Sequence, residues 1–191
     1  MNRSFCRHFT MLLWWLSAAF ALLGVTPAHA QVSCTSSMSA LAFGTINPLS
    51  SLTNVNATLT YNCSNSNKKA RSATLCFSIG EPGGGPTNPR QMSSDANHLN
   101  FQLYQDPVRS MVWGSSFFGS NTPYKVDVSI PGKSSAPGSW TMYGQVMAGQ
   151  TSAVPGNYTD QYQNGDTALT INQNNNNTAP GSCASGSSVD Y

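Results

Sequence analysis

Side-chain catalysis needs a base, a nucleophile or a carboxylate pair within reach of one another, and this chain offers few candidates. Beyond residue 30 its single histidine is His98. A Ser-His-Asp site can be drawn around it on paper, but no G-x-S-x-G elbow and no second base accompany it. Flanked by Asn97 and Leu99, His98 reads as a surface or turn residue. Asp127 falls on the outward phase of its segment, where solvation explains it. Asp106, Asp160 and Asp166 lie near turn-formers, where an aspartate typically bonds nearby backbone. Two of these carboxylates would serve a glycosidase if paired, yet their spacing does not ask for it. Gly83, Gly84 and Gly85 lack the strand-to-helix context and the lysine of a phosphate loop. The expectation is a protein that is not an enzyme and uses no cofactor.

Cysteine is the more telling residue type. Cys34, Cys63, Cys76 and Cys183 remain once the first 30 residues are set aside. Zinc needs close ligand pairs such as C-x-x-C, and the nearest pair here is thirteen residues apart, so disulfides are expected and metal is not. Four cysteines allow three connectivities, and spacing alone leaves all three open.

Disulfides require an oxidising compartment, and the N-terminus supplies the route. Arg3 and Arg7 form a basic start, residues 11–25 are apolar apart from Ser17, and Ala28-His29-Ala30 is a small-x-small cleavage site. The reading is a signal peptide over residues 1–30; the competing one is an uncleaved anchor. Cleavage leaves seven basic residues (nine less Arg3 and Arg7) facing seven acidic ones, a formal net charge of zero. That balance offers no footprint for nucleic acid or anionic lipid. The one basic run, Lys68-Lys69-Ala70-Arg71, reads as a solvated loop.

The elements that would position these side chains are strands. Apolar residues alternate with polar ones at Ala57/Leu59/Tyr61/Cys63, Leu75/Phe77/Ile79, Leu99/Phe101/Leu103, Val126/Val128/Ile130 and Met142/Gly144/Val146, with a weaker run at Leu169 and Ile171. Turn-formers separate them: Asn47-Pro48, Asn65-Ser66-Asn67, residues 81–86, Pro131-Gly132, Ala136-Pro137-Gly138 and Pro155-Gly156-Asn157. No segment after residue 30 carries a helical stripe. The pattern predicts an all-β, antiparallel sandwich over residues 31–171. Residues 172–191, rich in Asn, Ser and Gly, are expected to be a tail or the start of an interdomain linker, pinned by Cys183.

Cys34, Phe43-Gly44, Asn47-Pro48-Leu49 and Cys63 resemble the opening of a spore coat protein U (SCPU) domain. The similarity continues through Cys76-Phe77-Ser78-Ile79-Gly80, Pro89-Arg90-Gln91-Met92, residues 99–106, Trp113-Gly114, Tyr143-Gly144 and residues 155–160. The order of these elements carries the likeness more than any one of them. Many such domains are subunits of archaic, Csu-type chaperone–usher pili in Gram-negative bacteria. The resemblance implies an immunoglobulin-like sandwich lacking its last strand, which a periplasmic chaperone lends during passage to the outer-membrane usher. In the fibre a neighbouring pilus subunit supplies it by donor-strand complementation.

The same resemblance implies a Cys34–Cys63 disulfide, which leaves Cys76 to pair with Cys183. Gln31-Val32-Ser33 spans at most ~11 Å, too short for a donor of roughly ten extended residues. The expectation is therefore a subunit at the pilus tip, exported through the periplasm to the cell surface, serving adhesion and biofilm formation. Apolar loops would contact an abiotic or host surface: Ile46, Pro48 and Leu49 in one, Phe117 and Phe118 in the other. Trp113 is expected to fold back and cap the sandwich. The C-terminus departs from the family pattern, which usually finishes on a strong strand; residues 189–191 look cut where a further strand would begin, as in a fragment of a two-domain tip. The alternatives are a secreted carbohydrate-binding sandwich with a platform drawn from Trp113, Trp140, Tyr143 or Tyr158, or a spore or cell-surface structural protein.

Overall fold

The computed structural model describes residues 32–82, 88–117, 122–163, 165–174 and 177–191. The signal expected over residues 1–30, the glycines 83–85 and Phe118 lie outside them. Among the described residues nine strands follow in chain order: β1 (Val32–Met38), β2 (Thr53–Asn65), β3 (Arg71–Ile79), β4 (Arg90–Ser94), β5 (Asn97–Tyr104), β6 (Tyr124–Ile130), β7 (Ser134–Val146), β8 (Thr167–Gln173) and β9 (Ser187–Val189). Every pairing is antiparallel. Two sheets result, one ordered β1-β2-β7-β5-β4 and the other β6-β3-β8-β9, and no α-helix occurs among the described residues. The fold is an all-β sandwich.

Period-two patterning explains the core. Leu59, Leu75, Phe77, Ile130, Val146 and Leu169 come from strands of both sheets and are fully buried, as inward residues of a sandwich must be. β2 and β7 form the long spine, in register from Thr53↔Val146 to Asn65↔Ser134. Both disulfides form: Cys34–Cys63 joins directly paired residues of β1 and β2, and Cys76–Cys183 ties the tail to β3. Trp113 is fully buried, its indole N–H donating to Phe77 O at 2.7 Å.

Three features differ from the expected pattern. Ala136-Pro137-Gly138, expected as a turn, lies inside β7 opposite Cys63, Asn62 and Tyr61. β5 pairs with β7 only at residues 143–146, so beside Pro137 the side of β7 away from β2 has no paired strand, and a residue without an N–H is tolerated. Second, β3 is buried on both faces, although Ser72, Thr74, Cys76 and Ser78 have the polar phase of a solvent-facing row. Third, the tail covers that row: Ser72 Oγ donates to Asn177 O, Gly181 N donates to Thr74 Oγ1, and Cys183 reaches Cys76. The tail then ends in β9, paired with β8 through Leu169↔Val189, Thr170↔Ser188 and Ile171↔Ser187. Low apolar content concealed this role because the segment contributes backbone groups and one disulfide.

Candidate functional site

An open trough of about 1280 Å³ runs into the sandwich. Met92, Leu99, Phe101, Leu103 and Met142 line it from the first sheet and Ile79 from the second. Residues 38–49 and 153–163 form its walls, and Thr167 and Tyr191 also line it. The chain leaving β1 turns inward instead of continuing a sheet. Leu41 lies so close over β7 that a Cβ at Gly144 would sit 2.6 Å from its Cδ1. Phe43 meets Phe101 edge-on, ring centroids 6.1 Å apart. The strand-phase glycine at 144 is therefore a place where another side chain must approach closely.

The first sheet has its edges at β1 and β4 and the second at β6 and β9. Val32 N donates to Gln173 Oε1 at 2.9 Å, which bridges the start of β1 to the end of β8. Edge strands expose unpaired N–H and C=O groups and so invite another strand. On β8 that edge is taken by β9 at residues 169–171.

A polar network lies beside the trough, near Ile79 and Tyr162 of its lining. Arg90, on the inward phase of β4 with Met92, is fully buried. Its Nη2 donates to Ile79 O at 2.8 Å and Trp113 O at 2.9 Å, its Nη1 to Gln102 Oε1, and its Nε to Gly80 O at 3.3 Å. The same Nε lies 3.3 Å from Glu81 Oε2. Tyr162 donates its hydroxyl to Glu81 Oε2 at 3.4 Å. Burial pushes the Glu81 carboxyl up to about 7, against the opposing pull of a backbone bond from Gln91 and of the Arg90 charge. Asp160 is raised by the same desolvation, and so is the Tyr162 phenol. The arrangement fixes the ends of β3 and β4 together, and it presents no nucleophile beside a base.

Of the expected attachment residues, Ile46, Pro48 and Leu49 line the trough, with Ile46 packed partly on the core and Leu49 54% exposed. Phe117 is 56% exposed and does not line the trough, so the structure does not gather the two loops at this site. Of the residues offered for a carbohydrate platform, Trp113 is interior, Trp140 stacks on Tyr124 at 4.7 Å, Tyr143 lies beneath Arg109, and the Tyr158 hydroxyl donates to Val154 O. His98 Nδ1 meets Ser93 Oγ across the exposed β4–β5 turn. Asp106 bonds the backbone of Ser110 and Met111, while Asp127 accepts the Thr74 hydroxyl. Among the described residues no cluster of His, Cys, Asp and Glu is arranged to hold a metal.

The network around Arg90 is hard to read residue by residue because a charged side chain is not expected on a core face. The signal was present: Arg90 shares the phase of Met92. Nothing in the local sequence of Tyr191 marks it as interior.

The family described as Spore Coat Protein U domain matches residues 19–164. No curated protein matches the chain.

Proposed function

The chain belongs to the Spore Coat Protein U domain family, and on that premise we propose that it is an exported surface subunit of a chaperone–usher pilus that accepts a donor strand. The observation that carries this reading is the apolar trough between Ile79 and the β5 face, alongside a seam where edge strand β1 meets β8, whose outer side is covered only by the short β9. A strand entering there would gain backbone pairing from an edge and apolar burial from alternate side chains. The partners of such a subunit are a periplasmic chaperone, the outer-membrane usher and the neighbouring subunit.

The start of β1 supports a position at the tip. Cleavage after Ala30 leaves Gln31 ahead of Val32, which is already paired with Asn65, and Cys34 is bonded to Cys63. No free arm of roughly ten residues remains to donate. Leu49 and Phe117 are the exposed apolar residues offered for attachment. The test mixes gold-labelled protein, residues 31–191, with a polymerising subunit of the same pilus. Label confined to one end of each fibre is expected; label along the shaft overturns the tip assignment.

A further inference from the structure

We infer that residues 187–191 are a built-in placeholder strand, occupying the β8 edge until an incoming strand displaces them. The inference rests on the strand-accepting reading above and adds how that site is kept before use.

Register sets the argument. Val189 stands opposite Leu169 and Ser187 opposite Ile171, and both β8 residues belong to the core. Directly paired residues share a face, so Ser187, Val189 and Tyr191 form the row turned toward the interior. That row fills little. Ser187 is small and exposed, and Val189 stays 42% exposed. Tyr191 alone goes deep, its hydroxyl donating to Ser78 O at 3.2 Å and its ring edge-on to Phe77 at 5.9 Å. Thr167 Oγ1 donates to Tyr191 O. The segment thus satisfies a short length of edge while the trough beside Tyr191 stays open at about 1280 Å³. An incoming strand with large alternate side chains would gain the same backbone bonds and far more apolar burial.

The connection to the rest of the tail permits exchange. Cys183 is fastened to Cys76 on β3, and Gly181 N to Thr74 Oγ1 at 2.7 Å. Residues 184–186 lie between that anchor and β9, so the strand can leave without breaking the disulfide. Gly186, at φ +144°, crosses the β8 edge so closely that a Cβ would lie 2.4 Å from Ile171 O. Only glycine suits that crossing.

The experiment uses the chain from residue 31 to 191 and a synthetic twelve-residue peptide alternating isoleucine with threonine between terminal lysines. Peptide affinity is measured for the wild type, Tyr191→Ala and Val189→Pro, with amide hydrogen exchange on each complex. Val189 is a half-exposed edge residue, so its replacement by proline removes β9 pairing and leaves the core alone. Loosening a competitor raises the competent population; both variants are expected to bind at least about tenfold more tightly than the wild type. In the wild-type complex the β9 amides should lose protection while those of Leu169 and Ile171 keep it. Equal affinity in all three proteins, or weaker binding by Val189→Pro, overturns the placeholder and leaves the strand-accepting reading standing. No binding by any of them overturns that reading itself.

Discussion

Arg90 shows how a single buried charge organises one end of the sandwich. A guanidinium taken out of water must have its N–H groups satisfied, and here three backbone carbonyls and Gln102 accept from it beside Glu81. Breaking such a pair by removing one partner typically costs 3–5 kcal/mol, since the other charge is then left buried. Glu81 carries the measurable consequence. Its folded-state pKa of about 7 lies above its ordinary 4.5, so the native protein holds that proton more tightly than the unfolded chain. The contribution to stability is complete below about pH 4.5 and is lost as pH rises through 7. Thermal denaturation between pH 5 and 8 should show a midpoint that falls with pH, and Glu81→Gln should flatten the fall. Asp160, raised in the same direction, leaves a residual slope. A Glu81→Gln profile parallel to the wild type would show that Glu81 does not titrate in this range. The shared phase of Arg90 and Met92 was the one sign of this network in the sequence, and arginine at an inward strand position reads as an exception until its carbonyl acceptors are seen.

Strands built on long alternating runs were legible, and the short or covered ones were not. β2, β3, β5, β6 and β7 carry three or more apolar residues at period two, enough to define a face. β4 has only Met92 as an apolar inward residue and sits at a sheet end, so it gives no comparable signal. The misread turn at Ala136-Pro137-Gly138 has a packing origin. Tyr61, directly opposite, lays its ring where a side chain at 138 would go: a Cβ there would be 2.2 Å from its Cζ. The aromatic shields the glycine and lets the strand run on, while the ring continues into Phe77 at 5.5 Å. Gly138→Val should therefore act through Tyr61, displacing it from Phe77. Overpacking of this kind costs about 1–3 kcal/mol. Urea denaturation followed by tyrosine fluorescence would read it, and an unchanged midpoint would mean that Tyr61 yields freely. Composition told little about the tail, because what it supplies to the fold is cover for polar residues on β3 and a short edge pairing, neither of which needs apolar side chains.

Cys34–Cys63 fastens a weakly apolar segment to the first sheet and Cys76–Cys183 another to the second. Cys34–Cys63 holds β1 to β2 across 29 residues of sequence, while Cys76–Cys183 spans 107. Chain entropy alone would value the longer loop at roughly 5 kcal/mol and the shorter at roughly 3–4. That comparison assumes each loop unfolds with the whole domain, and for the tail the assumption fails. Residues 177–191 are held by a handful of hydrogen bonds and by Tyr191. Without the Cys76–Cys183 bond they should leave while the sandwich stays folded, a local opening well below the global unfolding free energy. What departs is the cover of the β8 edge, and an uncovered edge beside an apolar trough is a template for another copy. The Cys76→Ser/Cys183→Ser double variant is therefore expected to keep its far-ultraviolet circular dichroism but to self-associate at lower concentration than the wild type. Sedimentation velocity across a concentration series distinguishes the outcomes. A double variant that stays folded and remains as monomeric as the parent would mean that the sandwich protects its own edge, and that the tail is bound there without sealing it.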